Sequence, residues 1–267
     1  REPEVKVAAS QLGLDVYQPT KVRDGSLQRW MQERRPDVAL VLAYGRILPL
    51  PVLTTPRLGC VNLHASLLPE LRGAAPINWA IIRQARVTGV SLMQMEEGLD
   101  TGPVFLAREV PLGAEDTAGT LTEKLGGLAA EIVRERLPSL LAGQLTAQAQ
   151  DHSRATHAPP LTREDCRIDW RRTGAEILAL VRGLHPRPTA HTTVAGQLLK
   201  IQSLSATQGT LTGRAPGTLS VSGKKVLVQT GDEALALEVA QLEGRKAMSA
   251  WDLVNGRALR DGQVLGD

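Results

Sequence analysis

Asn62, His64 and Asp100 are the side chains best suited to chemistry in this 267-residue sequence. Asn62 and His64 lie two positions apart at the end of the apolar run Gly-Cys-Val-Asn-Leu, so in an extended strand both leave the same face. An asparagine amide can donate to an oxygen that becomes negative during a reaction, and imidazole suits acid and base work near neutral pH. Asp100 sits in Gly98-Leu99-Asp100-Thr101-Gly102, where the glycines permit a tight turn. A carboxylate beside a histidine orients its ring and favours its protonated form. Taken singly, each feature has a plainer explanation: a lone Asn-x-His is more often structural, and a turn aspartate more often caps or braces its own turn. Their order along the chain counts the other way. Both segments follow strand signals, and ligands in open α/β sheets bind at the carboxyl ends of strands, so the two loops can share one rim.

The elements that would hold these residues alternate. Helical signals at 5–14 and 26–35 flank a short strand at 15–18, and continuous apolar runs at 37–44 and 59–63 are of strand length. Runs without alternation suit strands buried on both faces, which predicts a parallel sheet covered by helices. Pro76 can open a helix over 77–84 because the first turn needs no N–H. Further strands are predicted at 90–95 and 104–110. Leu121, Leu125, Leu128 and Ile132 form one helical stripe, with Pro138 expected to kink or restart that helix and Gly143 to cap it. Residues 144–160 are polar and end in Ala-Pro-Pro, which predicts an extended linker. A helix over 174–184 and Gly-punctuated strands at 198–204, 217–221, 226–230 and 234–239 then predict a small barrel or sandwich. The expected domains are thus 1–143, a linker over 144–160, and 161–267.

No apolar run approaches the roughly 18 to 20 residues of a membrane span, and no signal peptide opens the sequence, so a soluble, cytoplasmic protein is expected. Cys60 and Cys166 match no metal-ligand spacing and are expected to be reduced and buried. From Gly143 onward 15 Lys and Arg stand against 12 Asp and Glu, whereas 16 stand against 16 before it. The excess is a weak pointer to an anionic partner, and on charge alone a lightly basic solvated surface is the favoured explanation.

An ordered series of motifs then carries a resemblance. N-x-H-x-S-L-L-P-x-x-R-G-A-A-P from Asn62 to Pro76 precedes M-Q-M-x-x-G-L-D-T-G from Met93 to Gly102. Around them stand A-Y-G-x-I-L-P from Ala43, E-D-T-x-G-T-L from Glu115, R-I-D-W from Arg167 and G-R-K-A-M-S-A from Gly244. Together they resemble the folate-dependent formyltransferases, and within them the members that act on methionyl-tRNA. The resemblance implies a Rossmann-like α/β catalytic domain followed by a β-barrel, OB-like domain that binds tRNA. It implies formyl transfer from 10-formyltetrahydrofolate to the α-amine of methionine on initiator tRNA, for translation initiation, by a monomer and without a metal. Asn62, His64 and Asp100 take the family's catalytic positions. The folate is implied along Ser66, Leu67, Leu68 and Pro69, with its pterin in an apolar pocket near Gly98, Leu99 and Thr101.

Arg72, beside the small residues that precede the 77–84 helix, suits an anionic group such as the glutamate tail or a tRNA phosphate; the small residues also suit plain packing. In the second domain Arg245 and Lys246, with Lys224, Lys225 and Arg214, could track tRNA backbone or simply be solvated. His152, His157, His185 and His191 have no partner spacing and receive no role. Members of the resembled family begin with a strand, a Gly-Thr-Pro turn, a helix, a second strand and a basic loop. Residues 1–5 resemble the far edge of that loop, so the chain is expected to lack roughly 30 residues or more, the size of a βαβ unit. Such a loss would expose backbone and apolar surface at the sheet edge. Two rivals stay open: a formyltransferase for an amino sugar nucleotide, which would keep the same three residues, and a non-catalytic RNA-binding module. The second domain argues against a stand-alone purine-pathway transformylase.

Overall fold

The computed structural model describes residues 2–207, 211 and 213–267; Arg1, where the first domain is expected to begin, lies outside them. Helices α1 (Glu4–Gln11) and α2 (Ser26–Arg34) lead into β1 (Ala39–Val41), α3 (Leu50–Leu53), β2 (Cys60–His64), α4 (Pro76–Ile82), β3 (Val87–Gln94), β4 (Val104–Pro111) and α5 (Ala118–Leu141). The predicted strand at 15–18 does not form, and the apolar run 37–44 supplies only the three residues of β1. The sheet runs β1-β2-β3-β4, with β1 parallel to β2 but β2–β3 and β3–β4 antiparallel. The expected parallel pairing is present between β1 and β2, and β3 and β4 extend the sheet antiparallel. Burial on both faces predicts a missing alternation but does not set strand direction. A chain that returns from β2 through α4 can enter β3 in either sense. At the β1 edge Leu42, Tyr44 and Ile47 are exposed.

Two cores flank this sheet. Val61, Leu63, Val90 and Leu92 pack against Leu121, Leu125 and Ile132 of α5, the predicted stripe. On the other side Cys60 joins Met31 of α2 and Val52 and Leu53 of α3. Helix α5 starts at a Thr117–Thr120 capping box and runs through Pro138 into its final turn. It neither restarts nor breaks there, because a proline near a helix end removes only one ladder bond. Ala142 is the C-cap, and Gly143 follows at φ 67°.

The second half holds α6 (Gly174–Gly183), β5 (Ala190–Val194), β6 (Gln197–Ala206), β7 (Leu219–Ser222), β8 (Lys225–Gln229), β9 (Ala234–Leu242), β10 (Met248–Ser249) and α7 (Ala250–Asn255). Its antiparallel sheet is ordered β5-β6-β9-β8-β7, with β10 on β9. No strand pairing closes the sheet as a regular barrel among the described residues. Isolated bridges from Leu265 to Val194 and from Val264 to Thr218 link the last segment to β5 and to the start of β7. Ile168 and Trp170 of the R-I-D-W motif are buried in this core, where the Trp170 indole donates to Thr192 Oγ1 at 3.0 Å. The two halves dock through α4 and α6: Asn78 Nδ2 donates to Gly183 O at 2.7 Å, and Arg182 Nη1 to Asp116 O at 3.1 Å.

Candidate active site

Alternation along β2 separates structure from chemistry. Val61 and Leu63 enter the α5 core, and Asn62 and His64 leave the opposite face, paired across the sheet with Met93 and Ser91. His64 is 5% exposed, whereas Asn62 is half-buried. Among the described residues the Asn62 side-chain amide has no hydrogen-bond partner. A donor held at the centre of a sheet with nothing to donate to is aimed at a ligand, since buried polar groups are otherwise paired.

His64 is held from both nitrogens. Nε2 lies 3.0 Å from Leu71 O, and a carbonyl only accepts, so Nε2 carries the hydrogen. Nδ1 lies 3.7 Å from Asp100 Oδ2, which also accepts the Gly73 N–H at 2.8 Å. Of the three side chains expected to work together, His64 and Asp100 are therefore neighbours, and Asn62 leaves the same face of β2 two positions before His64. Leu71 and Asp100 both occupy left-handed backbone, at φ 56° and 51°. Each such residue costs on the order of 1 kcal/mol, and such conformations cluster where side chains or carbonyls must be aimed.

What fixes these two loops comes from residues 144–160. This stretch, expected to be an extended linker, carries a 3-10 turn at His152–Arg154 and is tied down as a strap across the first half of the chain. Arg72 N–H donates to Thr156 O and Ala158 N–H to Arg72 O, at 2.9 and 2.7 Å, while Leu71 N–H donates to Thr156 Oγ1 at 2.9 Å. Trp79 Nε1 donates to Pro159 O and Arg83 Nη2 to His157 O, both at 2.8 Å. Gly73, at φ 119°, passes so close that a Cβ there would lie 2.6 Å from Ala158 O. Arg72 does not face outward toward an anion. It is 5% exposed, and its guanidinium donates to Gln150 Oε1 and His152 Nδ1. Sequence reasoning left Gln150, His152 and Thr156 without a role because polar residues between domains carry no periodic signal.

A model of the family described as formyl transferase matches residues 1–137, and one for the formyl transferase C-terminal domain matches residues 160–258. This chain belongs to the formyl transferase family. The methionyl-tRNA formyltransferase of Sorangium cellulosum is 49% identical over 100% of this chain and 86% of its own length. That of Geobacter metallireducens is 43% identical over 99% and 84%. Among solved structures, HypX from Aquifex aeolicus in complex with tetrahydrofolic acid superposes with a TM-score of 0.70 at 18% identity, over 92% of this chain and 43% of that one.

In this formyl transferase the Ser66–Pro69 loop is braced from β3. Ser91 Oγ donates to Ser66 O at 2.7 Å and accepts from Leu68 N–H at 3.0 Å; Ser66 Oγ donates to Glu70 O at 2.6 Å. A cavity of about 660 Å³ opens between α3 and the loop after β3, lined by Leu50, Leu53, Pro56, Gly59, Met95 and Gly98 among others. That volume suits a ligand of drug-like size, and the cavity lies beside the 98–102 turn, where the apolar pocket is expected. Of the residues expected to hold folate, Gly98 lines it; Ser66, Leu67, Leu68, Pro69, Leu99 and Thr101 do not. Arg245 and Lys246 are exposed on the β9–β10 turn, as are Lys224 in the β7–β8 turn and Lys225 at the start of β8. Arg214 is partly committed, to Leu219 O and Asp261. Among the described residues no three His, Cys, Asp or Glu are grouped to hold a metal, and no helix is long and apolar enough to cross a membrane.

Proposed function

We propose that this formyl transferase moves the formyl group of 10-formyltetrahydrofolate to the α-amine of methionyl initiator tRNA. The observation that carries the chemistry is the unpartnered Asn62 amide beside the His64–Asp100 pair. The amine attacks the formyl carbon, a new C–N bond forms, and the bond to the folate nitrogen breaks. During attack Asn62 donates to the formyl oxygen as it gains charge, and such a donor is worth more in a half-buried site than in water. His64, oriented by Leu71 O and Asp100, stabilises the tetrahedral species and carries the proton lost by the amine toward the departing nitrogen. The Asp100 carboxylate is held in place by the Gly73 N–H. The cavity beside Gly98 supports a pterin pocket next to this centre.

The acceptor is supported by likeness along the whole chain, second domain included, to relatives named methionyl-tRNA formyltransferases. Arg245, Lys246, Lys224 and Lys225 supply cations for the tRNA backbone from that domain. Transfer of radiolabelled formyl from 10-formyltetrahydrofolate to Met-tRNA, run beside an amino sugar nucleotide as acceptor, tests the reading. Label in the tRNA alone is expected; label in the sugar, or in neither, overturns it.

A further inference from the structure

The strap does more than cover the catalytic loops. Gln150 Nε2 donates to Asp100 O at 2.9 Å and to Gly102 O at 2.7 Å, so one amide ties both sides of the turn that carries the catalytic carboxylate. Its Oε1 accepts from Arg72 Nε at 3.1 Å and Nη2 at 2.6 Å, and Arg72 Nη2 also reaches His152 Nδ1 at 3.1 Å. Both N–H groups of the Gln150 amide and both lone pairs of its carbonyl are thus used, a fully satisfied, partly buried network of the kind that fixes one geometry. Arg72 is 5% exposed and, among the described residues, has no carboxylate partner. A guanidinium is rarely left in that state unless its donors perform a task.

We infer that Gln150, braced by Arg72, is a positioning residue that holds Asp100 in its left-handed conformation and so keeps the Asp100 carboxylate aimed at His64. The inference rests on Asp100 and His64 being the catalytic pair. The next residue after Arg72 completes the grip, since Gly73 N–H donates to Asp100 Oδ2. Arg72 therefore sets the Asp100 backbone through Gln150, and its neighbour sets the side chain. Neither Gln150 nor Arg72 needs to touch substrate for this to work. A pair that only cemented the strap would engage its backbone, as Thr156 and Ala158 already do. Gln150 engages the catalytic turn instead.

The test is Gln150→Glu in the full chain. This change keeps size, keeps an acceptor for Arg72 and strengthens that contact, but removes both donors to Asp100 O and Gly102 O. A small displacement of a catalytic group costs up to about 100-fold in rate, so kcat is expected to fall roughly 10- to 100-fold. KM for Met-tRNA should stay within about twofold, because the cations proposed for the tRNA backbone lie in the second half of the chain and are untouched. Arg72→Lys, which keeps the charge but loses the two-pronged contact, should shift kcat in the same direction and serves if the first variant does not fold. The deciding measurement is Gln150→Glu combined with Asp100→Asn. If Gln150 acts through Asp100, it adds no further loss to kcat in the Asp100→Asn background. A kcat within about twofold of wild type in a folded single variant overturns the inference, as do losses that multiply in the double variant. A folded Asp100→Asn enzyme with undiminished kcat would instead remove the catalytic pair itself, a separate failure.

Discussion

Asn62→Ala separates catalysis from fold more cleanly than any other change in this enzyme. The amide has no protein partner among the described residues, so truncation leaves no orphaned donor or acceptor and opens little space in a half-buried position. The structural cost is confined to strand preference between β1 and β3, under about 1 kcal/mol. In a chain of this size that lowers Tm by no more than about 4 °C. The catalytic cost is of another order: loss of one oxyanion donor removes about 2.7–4 kcal/mol of transition-state stabilisation, roughly 100- to 1000-fold in kcat. A neutral formyl oxygen accepts a weaker hydrogen bond than an anionic one, so KM should change little. Formyl-transfer kinetics at saturating Met-tRNA and folate, beside a thermal melt, give both numbers. A kcat loss below tenfold in a protein that melts normally would refute the oxyanion role, and a large fall in Tm would show that Asn62 is structural after all.

Gly183→Ala should loosen the docking of the two halves, because a Cβ there would lie 2.6 Å from Ile82 Cγ1 and 3.1 Å from Asn78 O. A destabilisation of about 1–3 kcal/mol is expected, read as a lower or split calorimetric transition; an unchanged single transition would contradict it. Cys60 is wholly buried, and burial pushes its thiol up to about 11, so a thiol reagent at pH 8 should leave it unmodified until the protein is denatured. Prompt labelling of Cys60 in the native enzyme would be the opposing result. Burial raises the Asp116 carboxyl, but hydrogen bonds from Lys124, the Gly113 N–H and Thr120 outweigh it and hold the group below its ordinary range. A depressed carboxyl contributes stability above its unfolded value, near 4, and loses it as pH falls further. The Tm gap between wild type and Asp116→Asn should therefore be widest at neutral pH and shrink below about pH 4; a gap constant with pH would refute this.

The candidate trio could be picked out in the sequence because residue type, period-two spacing and a glycine-framed turn are local signals. Elements with strong internal patterns were legible too: α5 from its apolar stripe and β2 from its continuous apolar run. Strand direction was not, since Val87–Gln94 reads the same whether it runs with β2 or against it. Nor was the inward turn of Arg72 legible, because its partners Gln150 and His152 lie 78 and 80 residues away in a stretch with no pattern of its own. Composition marked that stretch as a linker, and hydrogen bonds to the catalytic loops made it part of the site. The bracing of the Ser66–Pro69 loop by Ser91 was not legible either, because it follows from the pairing of Ser91 with His64, which only the sheet register reveals.

The strap also sets a timetable for the molecule. Leu71 waits for Thr156, 85 residues further on. Closing a loop of that length costs about 4 kcal/mol in chain entropy before any bond rewards it. β2 and β3 can pair much earlier, since Val61 meets Gln94 only 33 positions along. A nascent chain growing at roughly 5–20 residues per second would thus hold a paired sheet for several seconds while its catalytic loops were still unclamped. The enzyme becomes competent late in its own synthesis, and its chemistry is timed by a segment that performs none of it.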